Sequence, residues 1–479
     1  MSLMQPPSHG AGPRVEKRIW WSRMMIYRPA CMKCFLTSCG TNRGSVVPFS
    51  GNGTAIVTGL APISISLHKE SRPKKLSVPG SQPACRYMRT LCLLLVVFFL
   101  GCDSSGMEPE PTPVRGDVID VTTLATYTAE EVSQLVGAYG IPYSARYGIS
   151  FYVLEYLTVD THGEETTASG AVAVPQPVLR SLPMVSFQHG TVTRRSGAPS
   201  RGDTNEAVVG MFFAADGYLS VMPDLLGLGR SPGLHPYLIA DVSASAIVDM
   251  MQAVVRWSAT QPWSYSGEVY MAGYSAGGYT GMAAHRLLEA EYSSEFTIKA
   301  SSLMAGPYDL SGTMLELMLR EEPYPQPYYF PYVLFSYNEA YGLYSSPSDF
   351  LASPYDVTLP PLFDGMHGGG DINEAMPTIP IQIVHPDVRR SFLSDLNHPF
   401  RQRLRENDLT NWTPRAPTRL YHCAADELVP IENSIIAAQS LGEAATLLDP
   451  SPQSEHGDCA PLAIASTRAW FNSVSTSGQ

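Results

Sequence analysis

Lysine is almost missing from most of this 479-residue chain: after residue 102 the sequence contains only Lys299. From 103 to 479, nineteen lysines and arginines stand against 42 aspartates and glutamates. A segment so acidic, with arginine as nearly its only cation, argues against nucleic acid or an anionic membrane surface as a partner. Cysteine is equally scarce there: six of the eight lie at or before Cys102, and only Cys423 and Cys459 follow. The apolar run from Leu91 to Leu100 stops at ten residues, short of the ~20 that a membrane-spanning helix needs. The acidic body offers no ligand set with zinc or EF-hand spacing, and no G-x-G-x-x-G or Walker loop. Neither a metal nor another cofactor is expected.

What is present falls into two unlike parts. Residues 1–87 carry twelve basic and two acidic residues and show no sustained periodicity, so they read as a disordered or non-native extension. Their Cys31-Met32-Lys33-Cys34 has no second pair at zinc-ligand spacing and reads as chance. Met88-Arg89-Thr90 is a short positive segment ahead of the apolar run, which ends Phe99-Leu100-Gly101-Cys102. Residues 88–102 resemble a bacterial lipoprotein signal, with Phe99 where leucine is usual. The resemblance implies an exported chain held at a membrane by a lipid on Cys102; an ordinary cleaved signal, releasing a soluble protein, is the alternative. Residues 103–116, rich in Pro, Glu and Ser, read as an extended tether.

From 117 onward the pattern is that of an α/β protein. Thr128-Ala129-Glu130-Glu131 starts a helix, and Ile149–Val159 and Thr167–Val174 read as a hairpin. Short apolar runs at Leu182–Phe187, Leu219–Met222, Val269–Ala272 and Ile298–Met304 alternate with helical spacing, as at Asp241–Trp257. That rhythm predicts a mostly parallel sheet with helices on both faces. It stops in a Tyr- and Pro-rich stretch, 311–415, where only Gly312–Leu319 and Arg389–Leu396 look helical. It resumes with Thr418–Cys423, Ile431–Leu441, Ala445–Leu448 and Ala460–Phe471. The expected body is a core over 117–310 and 416–479, with 311–415 inserted as a lid over the sheet's edge.

The chemistry centres on Gly273-Tyr274-Ser275-Ala276-Gly277, a G-x-S-x-G between a strand and a helix. A serine lifted on such a turn needs a base, an orienting acid and oxyanion donors. Downstream, Asp426 lies in a strand-to-helix loop, with Glu427 a second choice, and His456 is the last histidine of the chain. The order Ser, Asp, His is the one this kind of turn uses. The Ala276 amide and that of Thr191, after Gln188-His189-Gly190, are the candidate oxyanion donors; His189 itself reads as a structural histidine. His367-Gly368-Gly369-Gly370 looks like another oxyanion loop, but it follows the nucleophile and reads as a decoy. Cys423 and Cys459 flank the acid and the base by three residues each, so a disulfide between them would staple the two loops.

These motifs resemble the α/β-hydrolase superfamily, and within it bacterial secretory-lipase-like proteins and esterases. The likeness runs over roughly 153–471 and includes Pro223-Asp224-Leu225-Leu226-Gly227-Leu228-Gly229, His235-Pro236-Tyr237 and Gly306-Pro307-Tyr308-Asp309. Cys423 departs from the glycine frequent at its position. The resemblance implies a Ser275–His456–Asp426 triad, an acyl-enzyme, an apolar ester or lipid as substrate and no cofactor. A serine peptidase, amidase or acyltransferase on the same fold is the alternative, and a non-catalytic surface-anchored binding protein is a further one.

Overall fold

The structure, a computed structural model, describes residues 114–139, 141–177 and 181–477. The basic extension, the signal-like segment with Cys102 and most of the tether lie outside them. The described chain enters through β1 (Val118–Tyr127) and turns at Thr128 into α1 (Ala129–Gly137). Thr128 Oγ1 accepts the Glu131 amide while Glu131 accepts the Thr128 amide, the capping box expected from the sequence. β2 (Gly148–Val159) and β3 (Glu165–Gln176) form the antiparallel hairpin. There follow β4 (Ser181–Gln188), α2 (Asn205–Ala214), β5 (Leu219–Pro223), α3 (Ala240–Ser258), β6 (Ser264–Tyr274), α4 (Ala276–Glu291) and β7 (Thr297–Met304). Residues 305–417 add no strand to the sheet; they hold α5 (Tyr329–Tyr341), α6 (Pro386–Ser394), α7 (Pro399–Glu406) and shorter turns. β8 (Thr418–Tyr421), α8 (Glu432–Leu441), β9 (Ala445–Leu448) and α9 (His456–Ser477) return to the core.

The nine strands make one sheet in the order β1-β2-β3-β5-β4-β6-β7-β8-β9. Every pair from β5 through β9 is parallel, and the three pairs that join β1, β2, β3 and β5 are antiparallel. Strand alternation divides the interior into two cores. On β6, Val269 and Met271 face one side with α3 and α4, while Tyr270, Ala272 and Tyr274 face the other with α1, α2 and α9. Both faces are covered, which is why the parallel strands read as continuous apolar runs. Strand order reverses between β4 and β6, and ligands of open α/β sheets bind beyond the carboxyl ends of strands at such a point.

Several boundaries differ from the sequence expectation. The strand from Thr418 ends at Tyr421, two residues early, although the His422 amide still donates to the Leu448 carbonyl of β9 at 3.0 Å. The final helix starts at His456, not Ala460; the Cys459 amide already bonds the Glu455 carbonyl. β1 and α5 were not anticipated. β1 is an edge strand with no fully buried residue, so it lacks a clear in/out alternation. α5 buries Phe330, Pro331, Tyr332, Leu334, Ser336 and Tyr337, and so lacks an amphipathic stripe; Pro331 is tolerated in its first turn.

The two ends of the 305–417 segment are tied down. At one end the Leu409 amide donates to the Tyr308 carbonyl (2.9 Å), and Ser311 donates through N and Oγ to Asp408 (2.9 and 2.6 Å). At the return to β8, Glu289 of α4 accepts the Arg415 and Ala416 amides at 2.8 Å each and His285 Nε2–H at 3.0 Å. Burial disfavours the Glu289 charge, but these donors win and lower its pKa to about 2. A depressed carboxyl stabilises the fold above its unfolded value, here about 4.5, and that contribution is lost as pH falls through about 2. Glu289→Ala leaves buried His285 and two backbone amides without their acceptor. A loss of about 2–4 kcal/mol is expected in urea melts at pH 7, with a smaller difference from the parent near pH 2, where the charge-linked part is gone.

Candidate active site

The serine turn is built by close backbone approach. Ser275 has φ 60° and ψ −126°, a strained conformation for a residue with a side chain. Its amide donates to the Met304 carbonyl of β7 at 2.9 Å, and its own carbonyl accepts the Gly278 amide at 2.9 Å. A Cβ on Gly277 would lie 2.0 Å from the Gln188 carbonyl oxygen, and one on Gly273 would lie 2.1 Å from the Gly277 oxygen. Only glycine lets α4 cross the end of β4 this closely. The crossing also brings the end of β4 to the serine: a Cβ on Gly190 would be 4.0 Å from Ser275 Cβ.

That neighbour is the loop expected to hold an oxyanion. The Gly190 amide is directed at Glu206 Oε1 (3.4 Å), whereas the Thr191 amide makes no hydrogen bond among the described residues. Ala276 stands in the first turn of α4, where backbone amides have no intrahelical acceptor. Thr191 Oγ1 is bonded to the Tyr237 hydroxyl at 2.7 Å, and Tyr237 stacks on Tyr332 of α5 with centroids 4.4 Å apart. The His367-Gly368-Gly369-Gly370 stretch packs two residues farther along the same loop: its His367 carbonyl takes Thr193 Oγ1 (2.9 Å), and Asp371 pairs with Arg194.

On the other side of the serine, Asp426 and His456 meet. His456 Nδ1 is 2.6 Å from Asp426 Oδ2; a carboxylate only accepts, so Nδ1 carries the proton and Nε2 is left as the base. The His456 carbonyl accepts the hydroxyl of Tyr274, the residue before the serine, at 2.6 Å, and the two rings lie 5.0 Å apart. Ser275 Oγ makes no hydrogen bond to His456 here; such contacts often tighten only around bound substrate. Glu427, the second choice, does not compete: its Oε2 accepts the His456 amide at 2.8 Å.

A residue given no role from the sequence completes this side. His422, fully buried, points Nε2 at Asp426 Oδ2 (3.1 Å) and the Val429 carbonyl (2.8 Å). Both partners accept, so Nε2 donates, and Ser434 Oγ donates to Nδ1 at 2.7 Å. Asp426 Oδ1 also accepts the Leu428 and Val429 amides at 3.0 and 2.8 Å. Burial opposes ionisation of Asp426, but the His422 and His456 hydrogen bonds outweigh it and hold the carboxyl well below the usual range. The only hint in the sequence was a histidine four residues before the acid at a strand end. Cys423 and Cys459, both fully buried, are joined, with Cα atoms 6.0 Å apart.

Ser275 opens into a cavity of about 560 Å³, counted out to its mouth. Its walls are Leu310, Met314 and Met318, then Phe330 and Val333 of α5, then Phe400 and Leu404 of α7. No lining residue is charged. The 305–417 segment thus supplies most of the wall.

A serine on a strained strand-to-helix turn, at the switch point of a sheet covered on both faces, defines the α/β-hydrolase superfamily, and the chain is a hydrolase that belongs to it. Among solved structures it is similar to the rice cell wall degrading esterase LipA from Xanthomonas oryzae, at 29% identity and TM-score 0.66, covering 74% of this chain and 96% of that one. It is also similar to a putative hydrolase from Legionella pneumophila (26%, TM-score 0.69, 74% and 98% covered). Candida antarctica lipase A shares the fold at 16% identity and TM-score 0.52, with 72% and 78% covered. The family described as X-Pro dipeptidyl-peptidase (S15 family) matches residues 147–292, from β2 through α4. No curated protein matches the chain.

The disulfide joins the strand end before Asp426 to the first turn behind His456. Replacing both cysteines by alanine is expected to lower stability by about 2–4 kcal/mol in thermal or urea unfolding. It is also expected to lower kcat more than it changes KM, because the acid–base pair loses its tie.

Proposed function

We propose that this chain is a serine esterase that cleaves carboxylic esters with an apolar acyl or alcohol group through an acyl-enzyme on Ser275. The observation that carries this reading is the uncharged, apolar cavity at the serine. His456 Nε2 takes the Ser275 proton as Oγ bonds the ester carbonyl carbon, and the carbonyl electron pair moves onto oxygen. The Thr191 and Ala276 amides receive that oxyanion. Its collapse breaks the bond to the leaving alcohol, which takes the proton from His456. Water, deprotonated by the same nitrogen, then releases the acid and frees Ser275. Asp426 holds the ring with Nε2 facing the reaction and stabilises the imidazolium. The 305–417 segment acts as the lid and acyl wall.

A peptidase reading draws on the S15 match, which stops before the stretch holding Asp426 and His456. A dipeptidyl substrate brings a free ammonium and peptide groups, and the lining has no carboxylate to receive the ammonium. The esterase reading therefore ranks first. A disulfide in an otherwise cysteine-poor body supports export to an oxidising compartment. No described helix is long and apolar enough to cross a membrane. Membrane attachment through a lipid on Cys102, which lies outside the described residues, is part of this proposal.

Hydrolysis of p-nitrophenyl esters of increasing acyl length, beside an Xaa-Pro anilide, tests the assignment. Apolar esters are expected to be cleaved at least about 100-fold more efficiently than the anilide, and Ser275→Ala to lose about 10⁴-fold or more of that activity. Preferential anilide cleavage, or an active Ser275→Ala protein, would overturn it.

A further inference from the structure

The loop at the end of β4 holds a buried histidine whose two ring nitrogens both face acceptors. His189 is 2% exposed. Its Nδ1 lies 2.7 Å from the Gly190 carbonyl oxygen, and its Nε2 lies 3.0 Å from the Asp224 carbonyl oxygen. A carbonyl cannot donate, and a neutral imidazole has a single N–H. A neutral ring would therefore set one nitrogen lone pair against a carbonyl oxygen at hydrogen-bond distance, away from water.

We propose that His189 is a positioning residue of the oxyanion site, held doubly protonated so that it polarises the Gly190–Thr191 peptide whose N–H receives the oxyanion. The inference rests on Ser275 being the acylated residue. The carbonyl that takes His189 Nδ1–H and the amide offered by Thr191 belong to the same peptide group. A stronger donor on the carbonyl draws electrons toward oxygen and makes the N–H at the other end a better donor, the cooperative effect of linked hydrogen bonds. The neighbouring amide does not share this role, because the Gly190 N–H is directed at Glu206.

The groups around the ring suit a cation. Glu206 approaches from α2 and the Asp224 carboxyl from the end of β5. Burial raises both carboxyl pKa values, and hydrogen-bond donors oppose that rise. Asp224 is further held by Ser169 Oγ on one oxygen at 2.6 Å and by the Ser200 amide on the other at 2.9 Å. His235, ahead of α3, is a further ionisable neighbour; it donates Nδ1–H to the Leu226 carbonyl (2.8 Å), and burial lowers its pKa to about 3, so it brings no competing charge. The ring thus faces two carbonyl acceptors, with the Glu206 and Asp224 carboxyls near it.

Neutron diffraction from crystals of the native protein at neutral pH reads the claim without any variant. Deuterium is expected on both nitrogens of His189; one bare nitrogen would overturn the proposal. Kinetics of His189→Gln, which can keep one hydrogen bond but not the charge, provide the second reading. A kcat loss of about 10- to 100-fold is expected with KM within about threefold, short of the ~100- to 1,000-fold seen when an oxyanion donor itself is removed. An unchanged kcat would also overturn it. If the variant does not fold, the neutron map decides alone. Fluorophosphonate labelling separates this claim from the esterase reading: native protein that fails to label at Ser275 refutes that reading and with it the proposal.

Discussion

The site depends on one close contact between backbones. α4 crosses the end of β4 so tightly that the position of a Gly277 Cβ would fall 2.0 Å from the Gln188 carbonyl oxygen. This crossing forces the turn at Ser275 into its strained conformation, and it sets the Gly190–Thr191 loop beside the serine. The proposed nucleophile and oxyanion donor are therefore placed by the same contact. The strain at Ser275, of order 1–3 kcal/mol, is held by two flanking cores and by bonds to β7, not by the serine's own side chain.

The proposed acid and base, Asp426 and His456, are held by a separate device. Just past β8, His422 turns its ring onto Asp426, while the disulfide ties the adjacent Cys423 to α9 just behind His456. Asp426 accepts from two histidines and two backbone amides. That network fixes which face of the carboxylate His456 meets. The 305–417 segment is joined to the rest in a comparable way: hydroxyls of Tyr324, Tyr332 and Tyr337 reach the backbone carbonyls of Leu428, Val192 and Leu238. The Tyr-rich composition of the inserted segment is thus partly a set of anchors and partly an apolar wall.

Much of this could be read from the sequence where local pattern and final environment agree. The capping box at Thr128, the hairpin and the strand–helix rhythm are local signals, and the serine turn demands glycine at fixed offsets. Candidate acid and base were legible because connection order limits which loops can reach one sheet edge. His422 was not legible: a buried histidine at a strand end is recognisable as a partner only once α8 has placed Ser434 against it. α5 was hidden because it is covered on both sides, and β1 because none of its residues is fully buried. The charge state assigned to His189 depends on a carbonyl 35 residues away, which no local pattern announces.

The central claim is that Ser275, the two amides and the apolar wall belong to one reaction site. The most direct measurement is a crystal structure of the native protein after reaction with a long-chain alkyl fluorophosphonate. Phosphorus is expected on Ser275 Oγ, with one phosphonyl oxygen within hydrogen-bond distance of both the Thr191 and Ala276 amides and the alkyl chain lying between α5 and α7. An adduct on another residue, or a phosphonyl oxygen turned away from both amides, would contradict the account.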